Sequence, residues 1–428
     1  MLANLKYYLI GSLVILSPLG LRILSLQQPA VHQASAEDIT TGRMLFSHEW
    51  TVNDPLSPNG DGIGPVFNAR SCVACHKQGG IGGGGDNKHN VTTFVLEQPS
   101  GDSKVGVVHA YATRKEYLET LQSLSNGLPR TSQPTLKMIR DNPVQRVGSG
   151  VLHLSQRNTP ALFGSKLIDE IPERVILAEQ RKQQIRWGQT SSNTEAFPVG
   201  RAFRLQDGRV GKFGWKAQSA SLGEFVRAAC ANELGLGNSN NKQPIPMSFT
   251  NYRTPGIDLT QKQCDQITAF CASLPRPVER HGDFDTQANI KQGRKIFRKV
   301  GCVHCHTPDM GSIRGIYSDL LLHRMGVELV GSGVSYGNEV PELPKDRSPE
   351  DGSLPDEWRT PPLWGVADSA PYLHDGRAAT LEEAIRQHGG QGTKSAQNFS
   401  DLSKAEQQQL LTFLQSLRAP TEISLAQK

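Results

Sequence analysis

Two pentapeptides constrain this chain more than anything else in it: Cys72-Val73-Ala74-Cys75-His76 and Cys302-Val303-His304-Cys305-His306. Both read Cys-x-x-Cys-His. Two thiols three positions apart can form thioethers to the two vinyl groups of one haem, and the histidine that follows then lies beneath the iron as an axial ligand. A dithiol redox site would not need the histidine twice. A single zinc would be overfilled by six ligands, and two zincs would each need further Cys or His nearby, whereas only His89 follows the first motif closely. The spacing predicts two covalently bound c-type haems, with Cys72, Cys75, Cys302 and Cys305 as attachment points and His76 and His306 as iron ligands. His304, between two attachment points, faces away from the iron and reads as a variable position.

The chain before the first motif reads as an export signal, residues 1–36. Lys6 precedes a mostly apolar stretch from Tyr7 to Leu21, and Ala34-Ser35-Ala36 offers a cleavage site. The alternative is an uncleaved membrane anchor, although the apolar run reaches the roughly 20 residues of a span only if Arg22 is included. Either way the folded part lies outside the cytoplasm, in the periplasm or an equivalent compartment. The net charge of +5 is small, and no run of five basic residues occurs, so a nucleic-acid partner is not expected.

Internal repeats set the architecture. Gly42-Arg43-Met44-Leu45-Phe46 returns as Gly293-Arg294-Lys295-Ile296-Phe297, and Thr159-Pro160-Ala161-Leu162-Phe163-Gly164 as Thr360-Pro361-Pro362-Leu363-Trp364-Gly365. Ser221-Leu222-Gly223-Glu224 matches Thr380-Leu381-Glu382-Glu383, and the stretch from Leu259 to Pro277 matches Leu402 to Pro420. With the two haem motifs these are five matches in one order, at offsets falling from 251 to 143. That pattern predicts a tandem duplication with the longer copy first: a cytochrome c-like domain over 37–280 for haem 1 and another over 281–428 for haem 2. Each copy opens on a Gly-Arg-x-x-Phe helix. Each closes on an amphipathic one, with Ile267, Phe270, Cys271 and Leu274, or Leu410, Phe413, Leu414 and Leu417, at i, i+3, i+4, i+7 spacing. The fold class is therefore mainly α.

The first copy is enlarged by insertions. Asp54 to Gly62 carries oxygen ligands that would suit calcium, and reads first as turns. The glycine run Gly79 to Gly85 follows a haem motif rather than a strand, which excludes a nucleotide loop. Residues 92–111 alternate as a β-hairpin around Ser100-Gly101-Asp102. Of the three remaining cysteines, Cys264 and Cys271 are seven apart on one helix, about 10.5 Å, and cannot bond each other. Cys230 either pairs with one of them or all three are free thiols.

Three runs carry a family resemblance: Phe67-Asn68-Ala69-Arg70-Ser71-Cys72, Lys212-Phe213-Gly214-Trp215-Lys216-Ala217 and Tyr372-Leu373-His374-Asp375-Gly376-Arg377. With them the chain resembles the dihaem oxidoreductases, also called thiol oxidoreductases, relatives of the bacterial dihaem cytochrome c peroxidases. The resemblance implies a peroxide-meeting haem in the first half and a six-coordinate, electron-relaying haem in the second. It places the distal ligand of haem 2 fourteen residues after His374, at His388, where relatives carry Met or Tyr. A bis-histidine haem of this kind has a lower potential than a His/Met one. The resemblance likewise puts Trp215, seven residues before Leu222, between the haems, and makes Glu233 the catalytic acid/base. Phe225 stands where relatives have glutamine, and its span to Glu233 is 8 rather than 10 residues. Trp215 as plain core and Glu233 as a solvated helix residue stay open, as does the sixth ligand of haem 1 among His89, His109 and His153.

The reading that follows is reduction of hydrogen peroxide at haem 1, with electrons relayed through haem 2 from a small donor protein such as a cytochrome c or a cupredoxin. Two others keep the dihaem core: oxidation or oxygenation of an organic or protein substrate, and a two-haem electron carrier without catalysis.

Overall fold

The computed structural model describes residues 34–101, 103–141, 143–188, 197–331 and 355–421. The expected export segment lies outside these, except for its last three residues, and so does Asp102 of the hairpin turn. The helices that frame the two motifs are α1 (Ala36–Ser47), α2 (Glu173–Trp187), α3 (Leu222–Leu234), α4 (Gln261–Ser273), α5 (Phe284–Lys299), α6 (Leu381–Arg386) and α7 (Lys404–Ser416). Polar residues start most of them. Ser35 and Asp38 form a reciprocal cap at α1, as do Thr260 and Gln263 at α4 and Ser403 and Glu406 at α7. Each satisfies two N–H groups that the helix leaves without an internal partner.

The repeated glycines explain how these helices meet. A Cβ at Gly42 would lie 1.9 Å from the backbone oxygen of Gln266, and one at Gly293 would lie 2.0 Å from that of Gln409. Only glycine lets α1 cross α4, and α5 cross α7, at that distance. One turn later in each pair a phenylalanine packs on its partner: Phe46 on Phe270 at 5.1 Å between ring centroids, Phe297 on Phe413 at 5.4 Å. The same two rings reach the motif histidines, Phe46 to His76 at 6.1 Å and Phe297 to His306 at 6.4 Å. Fully burying one such ring stabilises by about 1.5–3 kcal/mol. The crossing expected from the repeats thus occurs twice, each time beside a Cys-x-x-Cys-His turn.

The structure is helix-rich, with more sheet than the sequence suggested. The hairpin is present as β2 (Val91–Glu97) and β3 (Ser103–Val108), following the short β1 (Val66–Phe67). It belongs to a four-stranded antiparallel sheet of order β3-β2-β6-β5, with β5 Val144–Val147 and β6 Gly150–Arg157. Between them β4 (Tyr111–Ala112) turns back to pair with β1. Phe94, Leu96, Val108, Leu152 and Leu154 give this sheet a core of its own. By its contacts the chain from Ser35 onward groups as one compact unit. Among the described residues no helix is long and apolar enough to cross a membrane.

Candidate functional site

Each motif is a tight turn with its histidine held from behind. Cys72–Cys75 is one short helical turn, and His76 Nδ1 lies 3.1 Å from the carbonyl of Gly83 in the glycine-rich run. Cys302–His304 is a 3₁₀ turn, and His306 Nδ1 lies 3.0 Å from the carbonyl of Tyr317. A carbonyl only accepts, so Nδ1 carries the proton in both rings and Nε2 keeps its lone pair. This is how iron-ligating imidazoles are oriented. Burial holds both histidines down to about 4 and therefore neutral at physiological pH, with His388 adding to the shift on His306.

Above each turn opens a largely apolar cavity. The first is walled by Phe46, Val91, Leu162, Val226 and Ile267 around Cys72, Cys75 and His76. The second contains Cys302, Cys305, His306 and His388 in its walls. Burial pushes the thiols of Cys72, Cys75 and Cys302 up to about 12. Such thiols stay protonated at neutral pH while nothing is bound to them. The donor set and the apolar walls fit haem in both cavities.

His388 sits just past α6, its Nδ1 2.7 Å from the carbonyl of Ala384. Its ring faces that of His306 at 6.5 Å between centroids and 62° between planes. With metal–imidazole bonds of roughly 2 Å on each side, that separation accommodates one metal atom. His388 is half-buried in the cavity wall, and desolvation lowers its pKa.

The remaining expected residues also fall on these walls. Trp215 lines both cavities, together with Asn158, Thr159, Pro160, Leu162 and Phe225. Its indole N–H donates to the carbonyl of Asn158 at 2.8 Å, and its own carbonyl accepts from the Arg359 N–H at 2.9 Å. The tryptophan is thereby pinned in the partition between the two spaces. Glu233 lines the first cavity from α3, half-buried, and accepts from the Asn68 side chain at 2.7 Å. Phe225, in place of the expected glutamine, packs in the same partition.

Of the three histidines considered for haem 1, only His89 lines the first cavity, with Nδ1 2.9 Å from Asp86. His109 uses both ring nitrogens elsewhere, on Glu119 and on the carbonyl of Asn232, and His153 stands on β6 beside Glu97. Cys230, Cys264 and Cys271 are all free and buried. In the loop considered for calcium, the Asp54 carboxylate accepts from the Thr51 and Leu56 N–H groups and pairs with His48, while Asp61 accepts from Gln243. Among the described residues the one group of His, Cys, Asp and Glu close enough to share a metal is Cys305, Asp319 and His323, of which Cys305 and His323 line the second cavity.

Two other contacts have no counterpart in local sequence spacing. His374 stacks flat on Trp358, at 3.6 Å and 11°, with the Arg157 guanidinium 4.5 Å from the same indole. His323 is buried beside Cys305, with Nε2 2.8 Å from Asp319 and Nδ1 2.8 Å from Gln391.

Two like cavities, each over a Cys-x-x-Cys-His turn and sharing one wall, define a protein built around two redox groups. Residues 142–417, more than half of the chain, match the family described as "Di-haem oxidoreductase, putative peroxidase", and the chain belongs to that family. It is a haem oxidoreductase. The chain is 29% identical over 154 residues to hydrazine synthase subunit gamma of Kuenenia stuttgartiensis, across 32% of this chain and 43% of that one. It is 28% identical over 148 residues to methylamine utilization protein MauG of Methylorubrum extorquens, across 33% and 38%. It is 29% identical over 167 residues to a cytochrome-c peroxidase of Denitromonas iodatirespirans, across 33% and 43%. The matches span less than half the length of these curated relatives.

Proposed function

We propose that this chain is an exported c-type dihaem oxidoreductase that reduces hydrogen peroxide to water in the cavity above His76. Electrons reach it by way of the second cavity from a small donor protein such as a cytochrome c or a cupredoxin. The observation that carries this reading is the shared wall: Trp215 borders both cavities while Glu233 lines only the first. Bound haem supplies the iron that meets peroxide and the electrons that reduce it.

The residues divide the work. Cys72 with Cys75, and Cys302 with Cys305, would tether the two haems, and His76 and His306 would ligate them. His388 would be a second ligand in the second site, which suits that site to electron transfer alone. Trp215, fixed by Asn158 and Arg359, gives electrons a short aromatic route between the sites. Hydrogen peroxide takes up two electrons and two protons and leaves as two waters. Glu233 accepts the proton of the incoming peroxide and returns it to the departing oxygen, which would otherwise leave as hydroxide. The two helix crossings support a division into cytochrome c-like domains at 37–280 and 281–428, and the apolar run before Ala34 supports export.

Glu233→Gln tests the assignment, because it keeps the shape and removes the proton shuttle. General acid–base help is typically worth about 10²–10⁴-fold, so the peroxide rate should drop at least ~100-fold with haem content unchanged. A parental rate would overturn it.

A further inference from the structure

Glu233 stands next to last in α3, where a carboxylate is poorly placed. The carbonyl end of a helix carries partial negative charge, which disfavours a second negative group nearby. The carbonyls of Asn232 and Glu233 are also among those that a helix end leaves without internal partners. Both carbonyls, and the carboxylate, are met by two short segments from outside the helix.

Asn68 directly follows β1, and β1 pairs with β4 in the register Val66 to Ala112 and Phe67 to Tyr111, with the rings of Phe67 and Tyr111 stacked at 5.7 Å. That register brings Asn68 against Ala110. The Ala110 N–H donates to Asn68 Oδ1 at 2.9 Å. A backbone N–H can only donate, so the amide oxygen of Asn68 must face Ala110, and its NH₂ is left to face the other way. There it donates to Glu233 Oε2 at 2.7 Å, while the Asn68 backbone N–H donates to the Glu233 carbonyl at 2.7 Å. One residue earlier in the inserted segment, His109 Nε2 lies 2.9 Å from the Asn232 carbonyl. Burial alone would lower the His109 pKa, but the Glu119 carboxylate 2.7 Å away carries it above the ordinary value, with Glu233 contributing. His109 therefore brings a ring N–H, backed by Glu119, to the same helix end.

We infer that Asn68 is a positioning residue for Glu233, oriented by Ala110, so that the insertion between His76 and Thr159 serves to hold the Glu233 carboxylate aimed into the first cavity. This rests on the proposed acid/base role of Glu233. It gives the insertion a task that a cytochrome c fold lacking it would leave undone.

Asn68→Asp is the decisive substitution. It is isosteric and keeps an oxygen for the Ala110 N–H, but replaces the NH₂ with a second oxygen facing Glu233. Two facing carboxylates cannot both ionise, so the pair retains one proton. At neutral pH, infrared difference spectra of the haem-loaded Asn68→Asp protein should show a protonated-carboxyl band that the parent lacks. The band should vanish in Asn68→Asp/Glu233→Gln, where an amide again faces a carboxylate. The acid limb of the peroxide rate profile should move up by roughly one pH unit or more, with haem content unchanged. Asn68→Ser, too short to reach both partners, should move that limb in the same direction without the band. No band in Asn68→Asp, or a parental acid limb in both variants, would overturn the inference. If Glu233→Gln reacts with peroxide at the parental rate, the function proposed for Glu233 fails, whereas the band still reports on the contact itself.

Discussion

His306 and His388 come from opposite sides of the second cavity, 82 positions apart in sequence, and face each other at 6.5 Å, each with Nδ1 committed to a backbone carbonyl. Both Nε2 lone pairs are thus free for one metal atom between them. His388→Ala should convert one of two low-spin or mixed signals to high spin in the ferric spin-resonance spectrum and leave the other haem as it was. An unmoved spectrum would mean that His388 only fills space.

Three indoles border the second cavity, and the surroundings of two of them, Trp215 and Trp358, make them unequal. Trp358 lies under the Arg157 guanidinium at 4.5 Å, and burial brings that guanidinium down only to about 9, so it is charged at neutral pH. A cation over the ring face makes removal of an electron more costly. Trp215 has its ring in the partition instead. Trp215→Phe should therefore slow electron exchange between the haems, measured by flash photolysis or stopped flow. Trp358→Phe should leave exchange unchanged and lower stability by about 0.5–1.5 kcal/mol through loss of its hydrogen bond to the Leu329 carbonyl. Equal slowing in both would remove the special role of Trp215.

What could be read from the sequence was what repeats or what is fixed by local spacing. Gly42 and Gly293 were visible because each precedes a phenylalanine by four residues in two copies, and the structure shows the reason in the helix crossing. His388 was placed by the family resemblance, through its distance from His374 in one short segment. The Asn68 contact with Glu233 spans 165 residues, and that of Trp215 with Asn158 spans 57, and neither has a local pattern. The hairpin alternation revealed β2 and β3. It could not show that β6 pairs with β2 rather than standing apart, because register across 60 residues is set by packing of Phe94, Leu152 and Leu154.

The pairing of two thiols with one buried histidine in each turn makes attachment separable. Purified protein matured with c-type haem machinery should give two haems per chain by pyridine haemochrome, retained on a denaturing gel. Cys302→Ala/Cys305→Ala should give one, still attached through Cys72 and Cys75. A count of two in that variant would show that the second motif does not anchor its haem.

Asp61 and Asp258 give the fold a pH dependence of known sign. Burial pushes the Asp258 carboxyl up to about 7, and the neighbouring Asp61 charge adds to the shift, against backbone N–H groups of Gly237, Gly62 and Asp61 that favour ionisation. In the unfolded chain the same group loses its proton near 3.8. Between those values the folded state binds the extra proton, so the contribution of this pair to stability falls as pH rises from about 4 to about 7, opposite in sign to that of the neutral histidines His76 and His306. Asp61→Asn removes the neighbouring charge and keeps an oxygen for the Gln243 amide, 2.9 Å away in the parent. Relative to the parent, the thermal midpoint of Asp61→Asn should accordingly rise across that pH window. If scanning calorimetry gives the same pH dependence in both, the two carboxylates are not coupled, and the raised pKa of Asp258 must come from burial alone.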